Sequence, residues 1–423
     1  MKRIRKIKRS LIVLSLIVNK LWAQLPADSL AVYLLEVEAN NPELKAQFYK
    51  VAAGKEKIGE SGVLPDPEFE AGIYTKPMGT LMGDQLAEIR LMQMFPWFGT
   101  LKAQREAATH MSRVEQEAYN NLRQNVLFDA KKSYYTLYAL QTEIDQIKHS
   151  IALLQTIEET ATNRYANASS GKSSMSDVLR IQIERTELEN KLLTLQDQAE
   201  TLTYVFNKLL DRDGTMPVSL PDTLVILSAE TDEVLLSEQV LDNNSMLKMY
   251  AAEKDVNQAE LKMAKRMSFP TIGIGIEYMP LKKSANPMVM ENMNGKDMIM
   301  PMVSFSIPLY RGKYKAEQRK IRYKGQAIEA NAKDTQNQLL TESGEAVRMY
   351  KDALRRVALY KKQRQLSERS LSLLLTLYAT SSSNVDEVLR AEQQLLDFNT
   401  KTAKALADSY IAKAWIDKLI NKK

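Results

Sequence analysis

Residues 100–170 read TLKAQREAATHMSRVEQEAYNNLRQNVLFDAKKSYYTLYALQTEIDQIKHSIALLQTIEETATNRYANASS, a stretch with neither glycine nor proline. Those residues cost about 1 and 3 kcal/mol respectively in a helix interior, so their joint absence predicts one uninterrupted helix. Within it Leu137, Leu140, Ile144, Ile147, Ile151 and Leu154 follow one another at alternating spacings of three and four, the narrow apolar seam of a coiled coil. At about 1.5 Å per residue such a helix is roughly 106 Å long, several times the usual length, and predicts an elongated protein. Phe95-Pro96-Trp97-Phe98-Gly99 stands immediately before it.

Outward from this stretch, proline divides the chain. All 13 prolines lie at or before Pro96, at Pro217 and Pro221, or from Pro270 to Pro308. Two proline-free blocks therefore alternate with proline-bearing ones, as in an internal duplication. Asn41 before Pro42-Glu43-Leu44 and Asn244 before Ser245-Met246-Leu247 are matching helix N-caps. Pro96 with Gly99 is matched by Pro308 with Gly312, and Asp177-Val178-Leu179-Arg180 by Glu387-Val388-Leu389-Arg390. The offset stays between about 203 and 213 residues at every landmark. The expected organisation is a signal peptide at 1–23 and two repeats, 24–220 and 221–423. The first repeat holds a helix, a hairpin at 67–95, the long helix at 100–170 and a returning helix at 175–211. The second holds a helix at 246–266, a hairpin at 269–308, a long helix at 313–380 and a returning helix at 385–420.

The hairpins alternate with period two. Ile272, Ile274, Ile276 and Tyr278 interleave with Thr271, Gly273, Gly275 and Glu277, and Val303, Phe305 and Ile307 with Ser304 and Ser306. Phe69, Ala71 and Ile73 alternate with Glu68, Glu70 and Gly72, as Ile89 and Leu91 do with Glu88 and Arg90. Each run is about nine to ten residues, long enough for a tilted strand to cross a bilayer. A half-buried soluble sheet has the same pattern. Four strands cannot close a membrane barrel, which needs about eight, so a barrel here has to be shared among subunits.

Lys2, Arg3, Arg5, Lys6, Lys8 and Arg9 precede an apolar run from Leu11 to Val18, the layout of a secretory signal. Seven of the 58 basic residues fall in Met1 to Ala23 and none of the 52 acidic ones do, so the net charge of +6 becomes nearly balanced without that segment. A nucleic-acid partner is not expected from such a balance. There is no cysteine, hence no disulfide and no thiolate metal site. His110 and His149 lie about 58 Å apart on a straight helix and cannot share a site. No phosphate loop, nucleophile elbow or clustered metal ligands occur, so neither enzyme, cofactor nor metal centre is expected.

The order of these motifs resembles the TolC-type outer-membrane efflux proteins over essentially all of Leu30 to Lys423. The residues that carry the resemblance are Asn40-Asn41-Pro42-Glu43-Leu44, Pro65-Asp66-Pro67, Gln93-Met94-Phe95-Pro96-Trp97-Phe98-Gly99 and the paired helix-tip motifs. Pro65-Asp66-Pro67 and Phe-Pro-Trp-Phe-Gly are most similar to the branch serving heavy-metal efflux pumps. The resemblance implies an α+β membrane protein: a long antiparallel coiled-coil α-helical barrel plus a transmembrane β-barrel shared by three subunits, four strands each. It implies a homotrimer in outer-membrane lipid with a long periplasmic extension, working with a periplasmic adaptor protein and an inner-membrane efflux pump. It also implies a periplasmic gate at the helix tips. Asp177, six residues after Gly171, falls on the family's bonding acid and Tyr378 on its tyrosine partner. Glu387 falls on the first acid of a ring whose second acid is replaced by Arg390, with Asp386 next door, and the basic gate residue corresponds to Ser383. A plainer role for Asp177, Asp386 and Glu387 is to complement helix N-termini. Pro96, Gly99, Pro308 and Gly312 mark the strand-to-helix corners.

Met288, Met290, Met293, Met298, Met300 and Met302 crowd the second extracellular loop and the strand behind it. Methionine is an adaptable apolar filler and also a soft ligand for Cu(I) and Ag(I); the filler reading is the default. The expected function is that of an exit duct passing heavy-metal cations or drugs outward. The alternatives are the exit duct of a type I protein-secretion system and a purely structural coiled-coil protein of the envelope.

Overall fold

The computed structural model describes residues 29–166, 175–226, 233–286, 288–289, 291–380 and 384–422. The expected signal peptide, the turn containing Gly171, Met290 and Ser383 lie outside these described residues. Helices α1 (Ser29–Asn40) and α2 (Pro42–Glu60) lead into strands β1 (Glu68–Thr80) and β2 (Gly83–Phe95), then α3 (Thr100–Ala166) and α4 (Met175–Leu209). The order recurs as α5 (Glu233–Asn243), α6 (Ser245–Arg266), β3 (Thr271–Met279), β4 (Leu281–Lys282), β5 (Met298–Ser306), α7 (Arg311–Ala379) and α8 (Val385–Leu419).

The chain forms two compact units, and neither is a sequence half. One comprises residues up to Lys45, Asn121–Asn244 and Gln338–Lys423; the other comprises Ala46–Asn120 and Ser245–Asn337. In the first, α3, α4, α7 and α8 share a core. Ile144, Ile147 and Leu154 of α3 meet Ile181, Leu188 and Leu195 of α4 and Val388 and Leu396 of α8, with Leu140 and Ile151 packed at its edge. Each fully buried aliphatic side chain contributes about 1.5–3 kcal/mol, so this seam, not intrinsic propensity, holds such long helices in place.

The sequence reading places no helix before Asn41 or Asn244; α1 and α5 stand there. Their stripes are short: α1 buries Leu30, Tyr33 and Val37, and α5 buries Leu236 and Val240. Asn41 accepts the N–H of Glu43 at 3.0 Å and of Leu44 at 3.1 Å, the expected N-cap bonds. Its amide also donates to the Leu209 carbonyl at 3.0 Å, and the Asn244 amide donates to the Leu419 carbonyl at 3.1 Å. Both asparagines thus satisfy a carbonyl at the end of a returning helix, where no intrahelical donor remains. Beyond that end Asp211 (φ 56°) and Asn421 (φ 52°) turn left-handed, and the next N–H reaches back to Asn207 at 3.2 Å and Asp417 at 2.9 Å. This is the Schellman stop, built with Asp and Asn, which tolerate that conformation best after glycine. The segment after Asp211 is strapped down by tyrosines: Tyr33 Oη accepts the Ser219 N–H at 2.9 Å and Tyr134 donates to the Ser219 carbonyl at 3.3 Å.

The second unit carries the sheet. Its order is β1-β2-β3-β5, antiparallel throughout, with β4 added to β2 beyond the end of β3. The expected four strands are therefore four plus a two-residue continuation, because the chain resumes pairing with β2 directly after Pro280. Pro77 and Pro301 sit in β1 and β5, the two edge strands, the places where a missing ladder donor is tolerated. Phe69, Ile73, Leu91, Ile274, Ile276, Ile299, Val303 and Phe305 form one exposed apolar face. No helix among the described residues is long and apolar enough to cross a membrane.

Candidate functional site

Two constellations stand out, one in each unit. At the helix tips, Asp177 lies in the first turn of α4, and Asp386 and Glu387 in the first turn of α8, where acids complement the positive end of the helix. Asp386 does more than that: both its oxygens take Arg180 Nη1, at 2.6 and 2.5 Å, tying α4 to α8. The Arg180 guanidinium is held more firmly protonated than usual, first by that hydrogen bond and then by the Asp386 charge. Tyr378, only 4% exposed, takes Arg164 of α3. The guanidinium carbon stands 4.5 Å from the ring centroid, and Nη1 donates to the Tyr378 carbonyl at 2.9 Å. Burial pushes the Tyr378 phenol up, the Arg164 charge opposes this, and the Asp177 charge adds to the rise. Tyr378 and Asp177 are therefore electrostatic neighbours, while Glu387 and Arg390 are exposed. Sequence reasoning does not single out Arg164 or Arg180 as site residues; the only available signal is that Arg180 and Arg390 end the same four-residue motif.

In the sheet, the face opposite the apolar one is charged. Register places Arg90 between Glu70 and Glu277 on the flanking strands. Its guanidinium reaches Glu70 at 3.0 Å, Glu88 at 2.8 Å and the buried Glu277 at 3.4 Å, and Tyr74 donates to Glu88 at 3.1 Å. Three carboxylates surround one guanidinium, so the cluster is anionic and able to concentrate cations.

The corners differ from expectation. Pro96 directly follows β2 and Pro308 lies two residues past β5, so both end strands by withholding a donor and neither opens a helix. Gly99 takes φ 82° just before α3, a conformation that favours glycine. Gly312 does not act as a corner: it lies inside the first turn of α7 without a positive φ. The second corner bends one step earlier through close backbone bonds, Leu309 N–H to Ile307 O and Arg311 N–H to Leu309 O, both 2.9 Å. Trp97 of the first corner stacks on Phe269 at the start of the second hairpin, with centroids 5.4 Å apart and planes 12° apart.

No protein-family model matches the chain, and no characterised protein matches it by sequence. Solved structures do match. The outer-membrane channel OprN superposes with a TM-score of 0.77 at 16% identity, covering 95% of this chain and 92% of that one. The outer membrane protein VceC from Vibrio cholerae gives 0.75 at 14% identity, covering 93% and 96%. CusC, described for its folding and transmembrane channel formation, gives 0.77 at 14% identity, covering 93% and 92%. Over 93–95% of its length the chain has the fold of these outer-membrane proteins, the fold that its resemblance to TolC-type chains implies.

Proposed function

We propose that the protein is the outer-membrane exit duct of a tripartite efflux system. Three copies complete a twelve-stranded barrel, and the duct passes cargo received from an inner-membrane pump through a periplasmic adaptor, without catalysis of its own. The observation that carries this reading is the sheet: one face is apolar and exposed, the other anionic, and both edges are open. A bilayer core offers no partner for open backbone edges, so such a sheet needs closure by further copies. The solved channels of the same fold support the reading, as do α3 and α7, at 67 and 69 residues far beyond what a soluble domain requires. Arg180 with Asp386 and Arg164 with Tyr378 are the ties of a periplasmic gate in this reading, with Asp177, Glu387 and Arg390 shaping its field. Heavy-metal cations or drugs are the cargo. Purified protein added to planar bilayers should give discrete conductance steps and should run as a trimer in detergent. A stable folded monomer with no conductance would overturn the proposal.

A further inference from the structure

The anionic face of the sheet also holds sulfur. In β2, β3 and β5 the register puts Met92, Met94, Met279, Met298, Met300 and Met302 on the face of Arg90 and Glu277, and no methionine of these strands on the apolar face. Two of the cross-strand rows are vacant in the middle. Gly275 stands between Met92 and Met302, and Gly273 between Met94 and Ser304. A Cβ on Gly273 would lie 2.2 Å from Ser304 Oγ, 2.8 Å from Met94 Sδ and 3.1 Å from Met92 Sδ; one on Gly275 would lie 3.0 Å from Met92 Sδ. The Ser304 hydroxyl is 3.9 Å from each of the two sulfurs. Two thioethers and one hydroxyl therefore converge over a backbone position that has no side chain of its own.

Methionine as filler belongs between apolar groups. Here the next row along the strands is Glu70-Arg90-Glu277, and Met300, beside Glu277, is 40% exposed. The three carboxylates around Arg90 attract cations of any kind, whereas neutral, polarisable thioethers select the soft ones, Cu(I) and Ag(I), over hard divalent ions. A conducting path also needs sites that hold an ion loosely enough to release it, which suits thioethers without a thiolate.

We propose that Met92 and Met94, with Ser304 alongside and Met302 next across Gly275, form a transient binding site for a soft monovalent metal cation, Cu(I) or Ag(I). The inference deepens the exit-duct reading and rests on it for treating that ion as cargo. Silver nitrate in chloride-free buffer is the probe, applied to the full-length protein in detergent by equilibrium dialysis. Wild-type protein should retain Ag(I) with at least tenfold higher affinity than Met92→Leu/Met94→Leu, whose leucines keep the apolar volume, and Zn(II) should not compete. If the double variant does not assemble, Met94→Leu alone should weaken retention about threefold. Equal retention by wild type and variant overturns the site. In planar bilayers with potassium nitrate, Ag(I) should reduce wild-type conductance and leave the variant's unchanged. Normal conductance with no methionine-dependent silver effect overturns the thioether site and leaves the duct standing. Methionine-dependent silver retention without any conductance keeps the site and overturns the duct.

Discussion

The first turns of α4 and α8 carry the same motif, Asp177-Val178-Leu179-Arg180 and Glu387-Val388-Leu389-Arg390, and meet different surroundings. Val178 and Val388 are both buried, but Leu389 is 8% exposed where Leu179 is 49% exposed, and Arg180 bridges to Asp386 while Arg390 faces outward. A recurring motif thus opens two helices of equal length, 35 residues each, without giving them equal neighbours. Each tip is defined by what packs against it: both put a valine into the shared core, but Leu389 joins Val388 there while Leu179 stays outside. The exposed face of the first is then free to meet another copy.

That asymmetry is broken most strongly through the leucines. Leu389→Ala should cost about 2–5 kcal/mol of local stability, the range for a buried leucine, seen as faster amide exchange through the first turns of α8. Leu179→Ala should stay within about 0.5 kcal/mol in the separated chain. If Leu179→Ala weakens the proposed trimer, its exposed face is a subunit contact; equal costs for the two leucines would refute the difference in packing.

The next largest effect belongs to the arginines. Arg180→Ala with Asp386→Ala removes donor and acceptor together. An exposed pair contributes little in one copy, and in the proposed assembly the contributions of the copies multiply in the closed-to-open balance. Single-channel conductance should rise accordingly, while Arg390→Ala should leave the closed state unaltered. An Arg390→Ala channel as open as the double variant would show that Arg180 has no special place at the tip.

Much of this is legible in the sequence, for a physical reason. The Leu137–Leu154 seam and the strand alternation are periodic, and a period is a local property of the chain. Asn41 is legible as an N-cap because the bond closes over three residues, but its second bond, to Leu209, depends on long-range packing. The same holds for Arg180 and Arg164, whose partners lie on other helices. Gly312 misled because a Pro-Gly landmark predicts that the chain turns nearby without saying which residue takes the strain. Proximity along the chain groups Met288 with Met302. Strand parity and pairing instead join Met302 to Met92 across Gly275, a register that no single hairpin encodes.

Glu387 tests whether charge at the second tip acts on ions. Glu387→Ala should lower the preference for cations over anions by about twofold or less, because Arg390 one turn away offsets part of the field and solvent screens an exposed carboxylate. Reversal potentials in a salt gradient read this directly. An unchanged ratio at normal conductance would leave Glu387 as a helix-end acid and nothing more.

The smallest effect makes one half resemble the other. Gln182 of α4 sits half-buried and donates to Glu158 at 2.7 Å; the equivalent place in α8 holds Glu392, 2% exposed, with one carboxyl oxygen lacking a hydrogen-bond partner. Burial raises the Glu392 carboxyl above its ordinary range, the nearby Glu184 charge adds to this, and the Ser150 hydroxyl opposes it. A raised folded-state value means that the neutral acid fits the core. Its contribution to stability is complete below the unfolded value of about 4.3 and is lost as pH rises through the folded one. Glu392→Gln keeps the shape and removes the titration. The variant should therefore match wild type near pH 4 and unfold at a higher temperature than wild type near pH 8, by about a few degrees at most. A variant less stable than wild type at pH 8 would mean that the carboxylate is charged and satisfied at the tip, by a partner from its own chain or from another copy.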